Sequence, residues 1–423
     1  MDSDISQTLD KIHSFCTFGS ILGLERMQEL CDRMNNPEDK LKVVHVGGTN
    51  GKGSVCRYVY EVLIEAGYKV GLYTSPYVNI FNERIEVNRQ QIKDEDLISY
   101  SELVMKYAED MKEPPTEFEL ITAIALKYFS DKNLDFVILE VGLGGRGDST
   151  NIIKEPLISV ITSIGFDHMD RLGNTLSEIA YEKAGIIKNG VPVVSAVYPT
   201  EAKDVIKSVA EKNNSKFIDV TKIEYDIITE NIHKSEYFMD GLNLSISMGG
   251  KHQIINSITA YKTIANLNDR NVVDASKKQI KEGLIKAKQP GRIEVFGDKP
   301  KIILDGAHNT DGIFALSKTI RKNYMSDKIL IIVGVLKDKS YDEMMGELAL
   351  LTDEFIVTEP QNDRKLNSVI LSEAIEAHGA KCLIEPNPKD AFERAMEIKD
   401  DYDVIVFAGS LYLIGEIRGF LEE

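Results

Sequence analysis

The stretch KVVHVGGTNGKGSVCRYVYEVL, residues 42–63, decides the reading of this chain. A β-branched run (Val43, Val44, Val46) leads into Gly47-Gly48, and a helical pattern begins near Lys52. Glycines let successive backbone N–H groups face a phosphate, and a helix N-terminus adds a favourable dipole. Lys52 would supply a point charge to the outer phosphates and Ser54 a hydroxyl for Mg²⁺. The spelling is unusual, because Gly51-Lys52 is followed by Gly53 and only then by Ser54. Thr49, Asn50, Gly51, Lys52, Gly53 and Ser54 are the expected nucleotide contacts. The competing reading is a Gly-rich strand–helix turn carrying a solvated lysine.

Outward from this loop, short β-branched runs alternate with amphipathic segments. Strands are expected at 41–47, 69–73, 134–141, 157–163 and 191–195, with helices such as 52–66 and 118–130 between them. Near-continuous apolar strands separated by helices imply a mainly parallel sheet covered on both faces. From 223 to 250 the texture becomes alternating and turn-rich, which suggests an antiparallel hairpin or meander. After QPGRIEVF (289–296) the α/β rhythm restarts, with strands expected at 301–305, 328–334, 354–358, 381–385 and 402–408. The expected architecture is α/β in two domains. An N-terminal phosphate-loop domain with a mainly parallel sheet spans 1–295, and a smaller Rossmann-like α/β domain spans 296–423.

Length supports that division, since 423 residues exceed one ordinary core. With 43% hydrophobic and 28% charged residues the composition is that of a globular protein. No apolar run reaches the roughly 18–20 residues of a membrane span. The N-terminal MDSDISQTLDKIHSF is acidic and polar, unlike a secretory signal. Cys16, Cys31, Cys56 and Cys382 are scattered and form no CxxC pair, so they read as reduced thiols of a cytoplasmic protein. A formal charge of −17 argues against nucleic-acid and anionic-membrane partners. It leaves room for small anionic ligands in a locally cationic site. At the end of FVILE (136–140), Glu140 sits where open α/β sheets place their ligands and is suited to Mg²⁺, the alternative being a surface acid.

The blocks GGTNGKGS (47–54) and GLYTSPYVNIFNERIEVN (71–88) resemble the folylpolyglutamate synthase/dihydrofolate synthase family of the Mur-ligase-like ATPases. The inserted Gly53 is that family's spelling. The resemblance continues through LEVGLGGRGDSTN (139–151), SIGFDHMDRLGNTLSEIAYEKAGIIK (163–188), QPGRIEV (289–295), DGAHNTDG (305–312) and GSLYLIGE (409–416). It implies an ATP-dependent ligase that adds L-glutamate to the γ-carboxylate of a (tetrahydro)folate through an acyl phosphate. Addition of the first glutamate to dihydropteroate is a further activity within the family.

What the resemblance implies for single residues is specific. Glu140 and Ser75 match magnesium ligands, and His168 matches the site of a second magnesium. Lys183 matches a lysine that CO₂ converts to a carbamate, turning a cation into an anionic ligand. Lys52, Glu140, His168 and Lys183 thus form the catalytic set. Asn256 matches a residue near adenine, Arg292 fits a guanidinium that stabilises phosphate, and Asp305 and His308 match nucleotide contacts. Residues of both domains would then converge on one interdomain cleft. A dihydropteroate site is implied at Ile21, Leu22, Gly23 and Leu24, at Thr116, Glu117, Phe118 and Glu119, and at Arg146, Gly147 and Asp148. Phe118 could stack on a flat ring or belong to the core. Asp148 could accept hydrogen bonds from that ring or cap a turn. Asn82 and Arg84 would shape substrate entry from a mobile loop.

The small-molecule partners implied are therefore ATP, folates and L-glutamate, with two Mg²⁺ ions, acting on a monomer. A Mur-type ligase for a cell-wall nucleotide precursor would require a separate UDP-binding domain, and only about 40 residues precede the loop. A non-catalytic nucleotide-binding module would not require a second α/β domain carrying Arg292 and Asp305.

Overall fold

The computed structural model describes residues 2–15 and 22–422. It divides into two compact units. The first comprises residues up to Ile164, Asp170–Ile223 and Asn256–Leu284, and the second comprises Gly165–Met169, Glu224–Ile255 and Ile285 onward.

The first unit is built on eight strands: β1 (Val43–Gly47), β2 (Val70–Tyr73), β3 (Ile85–Val87), β4 (Gln90–Gln91), β5 (Phe136–Glu140), β6 (Ile158–Ile161), β7 (Val193–Ser195) and β8 (Phe217–Asp219). Their order is β4-β3-β2-β5-β1-β6-β7-β8. The run from β2 to β8 is parallel, and β3 and β4 add an antiparallel hairpin at one edge. Every residue of β1, β2, β5, β6 and β7 is buried, as the continuous apolar runs required. Helix Lys52–Glu65 leaves the phosphate loop and is buried from Ser54 through Leu63. Its buried charges are paired: Arg57 donates to both carboxylate oxygens of Glu86 at 2.9 and 2.6 Å, and Glu61 meets Arg89. The buried bidentate pair of Arg57 and Glu86 ties the loop's helix to β3.

The β3–β4 hairpin turns through Asn88 and Arg89, both at positive φ (48° and 65°). That is the geometry of a two-residue type I′ turn, which usually selects glycine second. Here Arg89 is held by its own contacts: its N–H donates to the Tyr60 hydroxyl at 2.6 Å and its guanidinium pairs with Glu61 and Glu65.

The second unit contains a three-stranded antiparallel meander, β9 (Asp226–Glu230), β10 (Ser235–Met239) and β11 (Leu242–Ile246). It also contains a six-stranded sheet of β12 (Glu294–Phe296), β13 (Lys301–Leu304), β14 (Ile329–Val333), β15 (Glu354–Val357), β16 (Lys381–Ile384) and β17 (Val404–Ala408), in the order β12-β13-β17-β14-β15-β16. Only β12 is antiparallel to its neighbour. The meander groups with this unit rather than with the residues before 295, because Ile232 joins its apolar core and Glu230 pairs with Lys322 at 2.8 Å. The second compact unit thus includes Gly165–Met169 and Glu224–Ile255 as well as the chain from Ile285 onward. Cys31, Cys56 and Cys382 are free thiols, and Cys16 lies outside the described residues. Among the described residues no helix is long and apolar enough to cross a membrane.

Candidate functional site

In the first unit β1 lies between β5 and β6, and the chain leaves β1 toward β2 on one side and β6 toward β7 on the other. Adjacent strands with diverging connections open a crevice at their carboxyl ends, the usual ligand position in such sheets. The loops after β1 and β6 are cross-tied there. Thr49 N–H donates to the Ser163 carbonyl at 2.7 Å, and Asn50 N–H donates to Ser163 Oγ at 2.9 Å. Thr162 Oγ1 returns a bond to the Asn50 carbonyl at 2.7 Å. Sequence reasoning assigned no role to Thr162 or Ser163. Two hydroxyl residues directly after a strand at the switch point were the available signal.

Two glycines make this arrangement possible. Gly48 has φ +142°, and a Cβ there would lie 2.0 Å from Thr162 Oγ1. Gly51, at φ +84°, caps helix Lys52–Glu65, and a Cβ on it would meet Asn256 Oδ1 at 2.5 Å. Asn256 thus stands directly beside the loop. Lys52 opens the helix and its Nζ reaches the Thr49 carbonyl at 3.1 Å, while Ser54 is buried one turn inside. From helix Leu176–Lys183, the buried Lys183 donates from Nζ to the Gly48 carbonyl at 3.0 Å. Glu140, buried at the end of β5, accepts from the Ser75 N–H at 3.1 Å. Lys52, Lys183 and Asn256 are therefore gathered on the loop, and Glu140 meets Ser75.

The expected dihydropteroate segments also meet. Gly23 N–H donates to the Gly147 carbonyl at 3.0 Å, and a Cβ on Gly147 would lie 3.0 Å from Leu22 Cβ. Leu24 precedes helix Glu25–Arg33 without capping it through its side chain. Ile21 lies outside the described residues. Phe118 lies against Gly142, where a Cβ would meet its ring at 2.3 Å, and it tilts toward Tyr73. Arg146 covers the Tyr181 ring at 4.2 Å.

Several polar side chains in this region are engaged with their own unit. TEFE is a capping box: Glu119 N–H donates to Thr116 Oγ1, and Thr116 N–H donates back to Glu119 Oε2. Glu119 is also gripped by Arg26 through Nε and Nη2 at 3.0 and 2.9 Å, and Glu117 meets His13 at 2.8 Å. Asp148 caps the turn at Ser149–Ile152 by accepting from Thr150, and its second oxygen accepts from Leu143 N–H at 2.8 Å. Burial pushes its carboxyl above the usual range against these donors. Asn82 donates from its amide to the Ile92 carbonyl at 2.7 Å and to Asp94 at 2.8 Å. Arg84 differs, because its guanidinium covers Tyr77 and Phe81 while Nε and Nη1 are buried without a partner.

The remaining expected residues belong to the second unit. Asp305 follows β13 and accepts from Ile293 N–H and Ala307 N–H, both at 2.9 Å. It thereby pins the QPGRI turn that presents Arg292. His308 lies within hydrogen-bonding distance of the Gly306 carbonyl through Nδ1 at 2.8 Å. Burial, with Lys339 nearby, lowers its pKa to about 4, so the ring is neutral at pH 7 and Nδ1 is the donor. His168 takes φ +50° beside Asp167, a residue sequence reasoning passed over. Asp167 accepts from Lys339 Nζ at 2.6 Å and from Asn309 at 3.0 Å, with His308 3.7 Å away. Burial alone would raise its carboxyl, but His168, Lys339 and His308 outweigh burial and hold it well below the usual range.

Among the described residues no three His, Cys, Asp or Glu side chains cluster as a ready-made metal cage. Glu140, which accepts from the Ser75 N–H, and the hydroxyls of Ser54 and Ser75 are the hard oxygen donors of this unit. That set suits Mg²⁺, which is usually held by one or two carboxylates together with phosphates and water.

A P-loop sheet and a second parallel sheet define an ATPase-type ligase of the Mur class, and the comparisons agree. Residues 46–264 match the Mur ligase middle domain, and residues 291–411 match the Mur ligase glutamate ligase domain. The chain is 38% identical over 418 residues to the dihydrofolate synthase/folylpolyglutamate synthase of Bacillus subtilis, covering 96% of each. Its fold is similar to the crystal structure of a folylpolyglutamate synthase from Thermotoga maritima, with TM-score 0.86, 32% identity and coverage of 100% of this chain and 97% of that one. E. coli FolC in complex with DHPP and ADP gives TM-score 0.88 at 27% identity, covering 99% of this chain and 97% of that one. The chain belongs to the folylpolyglutamate synthase/dihydrofolate synthase family.

Proposed function

We propose that this protein is an ATP-dependent ligase joining L-glutamate to the γ-carboxylate of a folate. The observation that carries this reading is the lysine-bearing phosphate loop tied at the switch point, with Glu140 and Ser75 at the neighbouring strand ends. A carboxylate is a poor electrophile toward an amine. Transfer of the γ-phosphoryl group of ATP onto it gives an acyl phosphate with a good leaving group. The glutamate amine attacks, a tetrahedral intermediate collapses, and an amide, ADP and phosphate result. The loop's N–H groups and Lys52 position the phosphates and offset their charge, so the chain contributes mainly geometry and electrostatics.

Ser54, Ser75 and Glu140 would hold a magnesium ion, and His168 and a carbamylated Lys183 are proposed, each within its own unit, as further magnesium ligands. Bound magnesium would supply charge neutralisation on the phosphates. For Lys183 the support is its buried amine beneath the loop, where an uncharged or anionic group is better placed next to a metal than an ammonium. Asn256, Arg292, Asp305 and His308 are proposed nucleotide-side residues. Leu22–Leu24, Phe118, Arg146–Asp148 and Arg84 are proposed for the pterin-bearing substrate, Arg84 because it keeps unspent buried donors. Scattered free thiols favour the cytoplasm, and a monomer is the proposed state.

The test is incorporation of labelled glutamate with ATP and Mg²⁺, comparing tetrahydrofolate with dihydropteroate as acceptor. Labelling of both identifies a bifunctional synthase and supports the pteroate site. Labelling of tetrahydrofolate alone leaves a polyglutamate extender. Labelling of neither overturns the substrate.

A further inference from the structure

His45 lies in the middle of β1, the central strand of the first sheet, and is completely buried. A polar ring there is costly unless it is used. Its Nε2 is 2.9 Å from Thr150 Oγ1, and Thr150 Oγ1 is 2.5 Å from Asp148 Oδ1. Proton accounting fixes the direction. Asp148 faces donors throughout, taking the Thr150 N–H as well at 3.0 Å and the Leu143 N–H on its other oxygen. The Thr150 hydroxyl has one proton, which goes to Asp148, so His45 must donate from Nε2. Nδ1 is then a buried acceptor with no partner. Leaving it unpaired costs stability that an apolar residue would not forfeit. Burial also lowers the His45 pKa to about 3, so the ring stays in this neutral form near pH 7.

The far side of the same turn is anchored separately. Ser149 Oγ meets Thr122 Oγ1 at 2.9 Å, and Tyr73 meets it at 3.1 Å. Thr122 spends its single proton on the Phe118 carbonyl, so it accepts from both. The loop carrying Arg146–Asp148 is thus held at Thr150 by β1 and at Ser149 by the helix that starts beside Phe118.

We propose that His45 is a positioning residue for the pterin-bearing acceptor: its Nε2–H orients the Thr150 hydroxyl, which fixes the Asp148 carboxylate and the loop 142–148. This rests on the proposed substrate site and deepens it. The consequence is selective. β1 runs on from His45 into the phosphate loop, so general damage to the strand would weaken ATP binding, whereas loss of the relay weakens the acceptor.

The experiment measures KM separately for ATP, glutamate and the pterin-bearing acceptor in His45→Leu, His45→Gln and Thr150→Val. Loss of one buried hydrogen bond is expected to raise the acceptor KM about tenfold in His45→Leu and in Thr150→Val, with ATP and glutamate KM unchanged. His45→Gln, which can donate from a similar position, should recover most of that loss. The double variant should be no worse than Thr150→Val alone. An unchanged acceptor KM, a parallel rise in ATP KM, or a Gln variant as poor as Leu overturns the inference. Thr150→Val is nearly isosteric and carries the test if His45→Leu does not fold; failure of both to fold also overturns it, leaving a purely structural residue. Wild type that labels no acceptor indicts the proposed function instead.

Discussion

The phosphate loop and the 116–148 region both hold polar side chains expected at a binding site, and they use them in opposite ways. In the loop, hydroxyls from Thr162 and Ser163 brace the backbone, while Lys52 and Ser54 stand at the start of a helix. In the other region, Glu119, Asp148 and Thr116 are themselves the braces. A motif whose glycines and lysine are dictated by phosphate geometry declares its ligand. One whose acids cap their own helices declares mainly its fold.

Lys52→Ala presses hardest on this contrast. It should reduce ligation about thousandfold, in line with removal of a principal charge stabiliser, with unchanged circular dichroism and Tm. Near-normal turnover would sink the loop assignment. Glu119→Ala should do the reverse, costing about 3 kcal/mol of stability in denaturant titration because Arg26 loses its buried partner along with the capping box. If its stability is unchanged, the region is not the brace described. Gly48→Ala tests how tightly the loop is fixed. A Cβ 2.0 Å from Thr162 Oγ1 and 3.0 Å from the Thr162 amide must displace one loop from the other, for about 2 kcal/mol and a higher KM for ATP.

The smallest effect is in pH. His45 is buried and His252 half-buried, with pKa values lowered to about 3 and about 4 from 6.5, in each case chiefly by desolvation, so both rings are neutral near pH 7. Between about 4 and 6.5 the unfolded chain binds protons that the folded chain refuses. Stability therefore rises with pH across that window and is lost as pH falls, by at most about 1.4 kcal/mol per pH unit for each ring. Urea midpoints at pH 5 and 7 should lie closer together in His252→Gln than in wild type. An identical difference would mean that His252 is not held neutral.

Much of this was legible because it follows from period and spacing. Every strand expected for the two sheets is present within two residues at each end, and the turn-rich stretch from 223 is the meander. Glycine positions in the loop were forced by backbone geometry that the sequence states directly. What escaped depends on tertiary proximity. Ser163 lies more than a hundred residues from Asn50, and Lys339 reaches Asp167 across a comparable interval. The capping box Thr116-x-x-Glu119 was visible in principle, since its signature is local. The bonds from Asn82 escaped as well, because Ile92 follows β4 and Asp94 opens the next helix, both about ten residues on.

The hairpin beyond β2 has a bearing on how this protein behaves in a crowded solution. An open sheet offers unpaired backbone at its margins, where a second chain could add and begin aggregation. At this margin the outermost strand is only Gln90–Gln91, polar and exposed, and the turn before it is clamped back by Arg89 onto Glu61 and Glu65. A visitor would find two residues to pair with and a charge beside them. Lengthening that strand or replacing its glutamines with valine would make a sticky edge out of a guarded one.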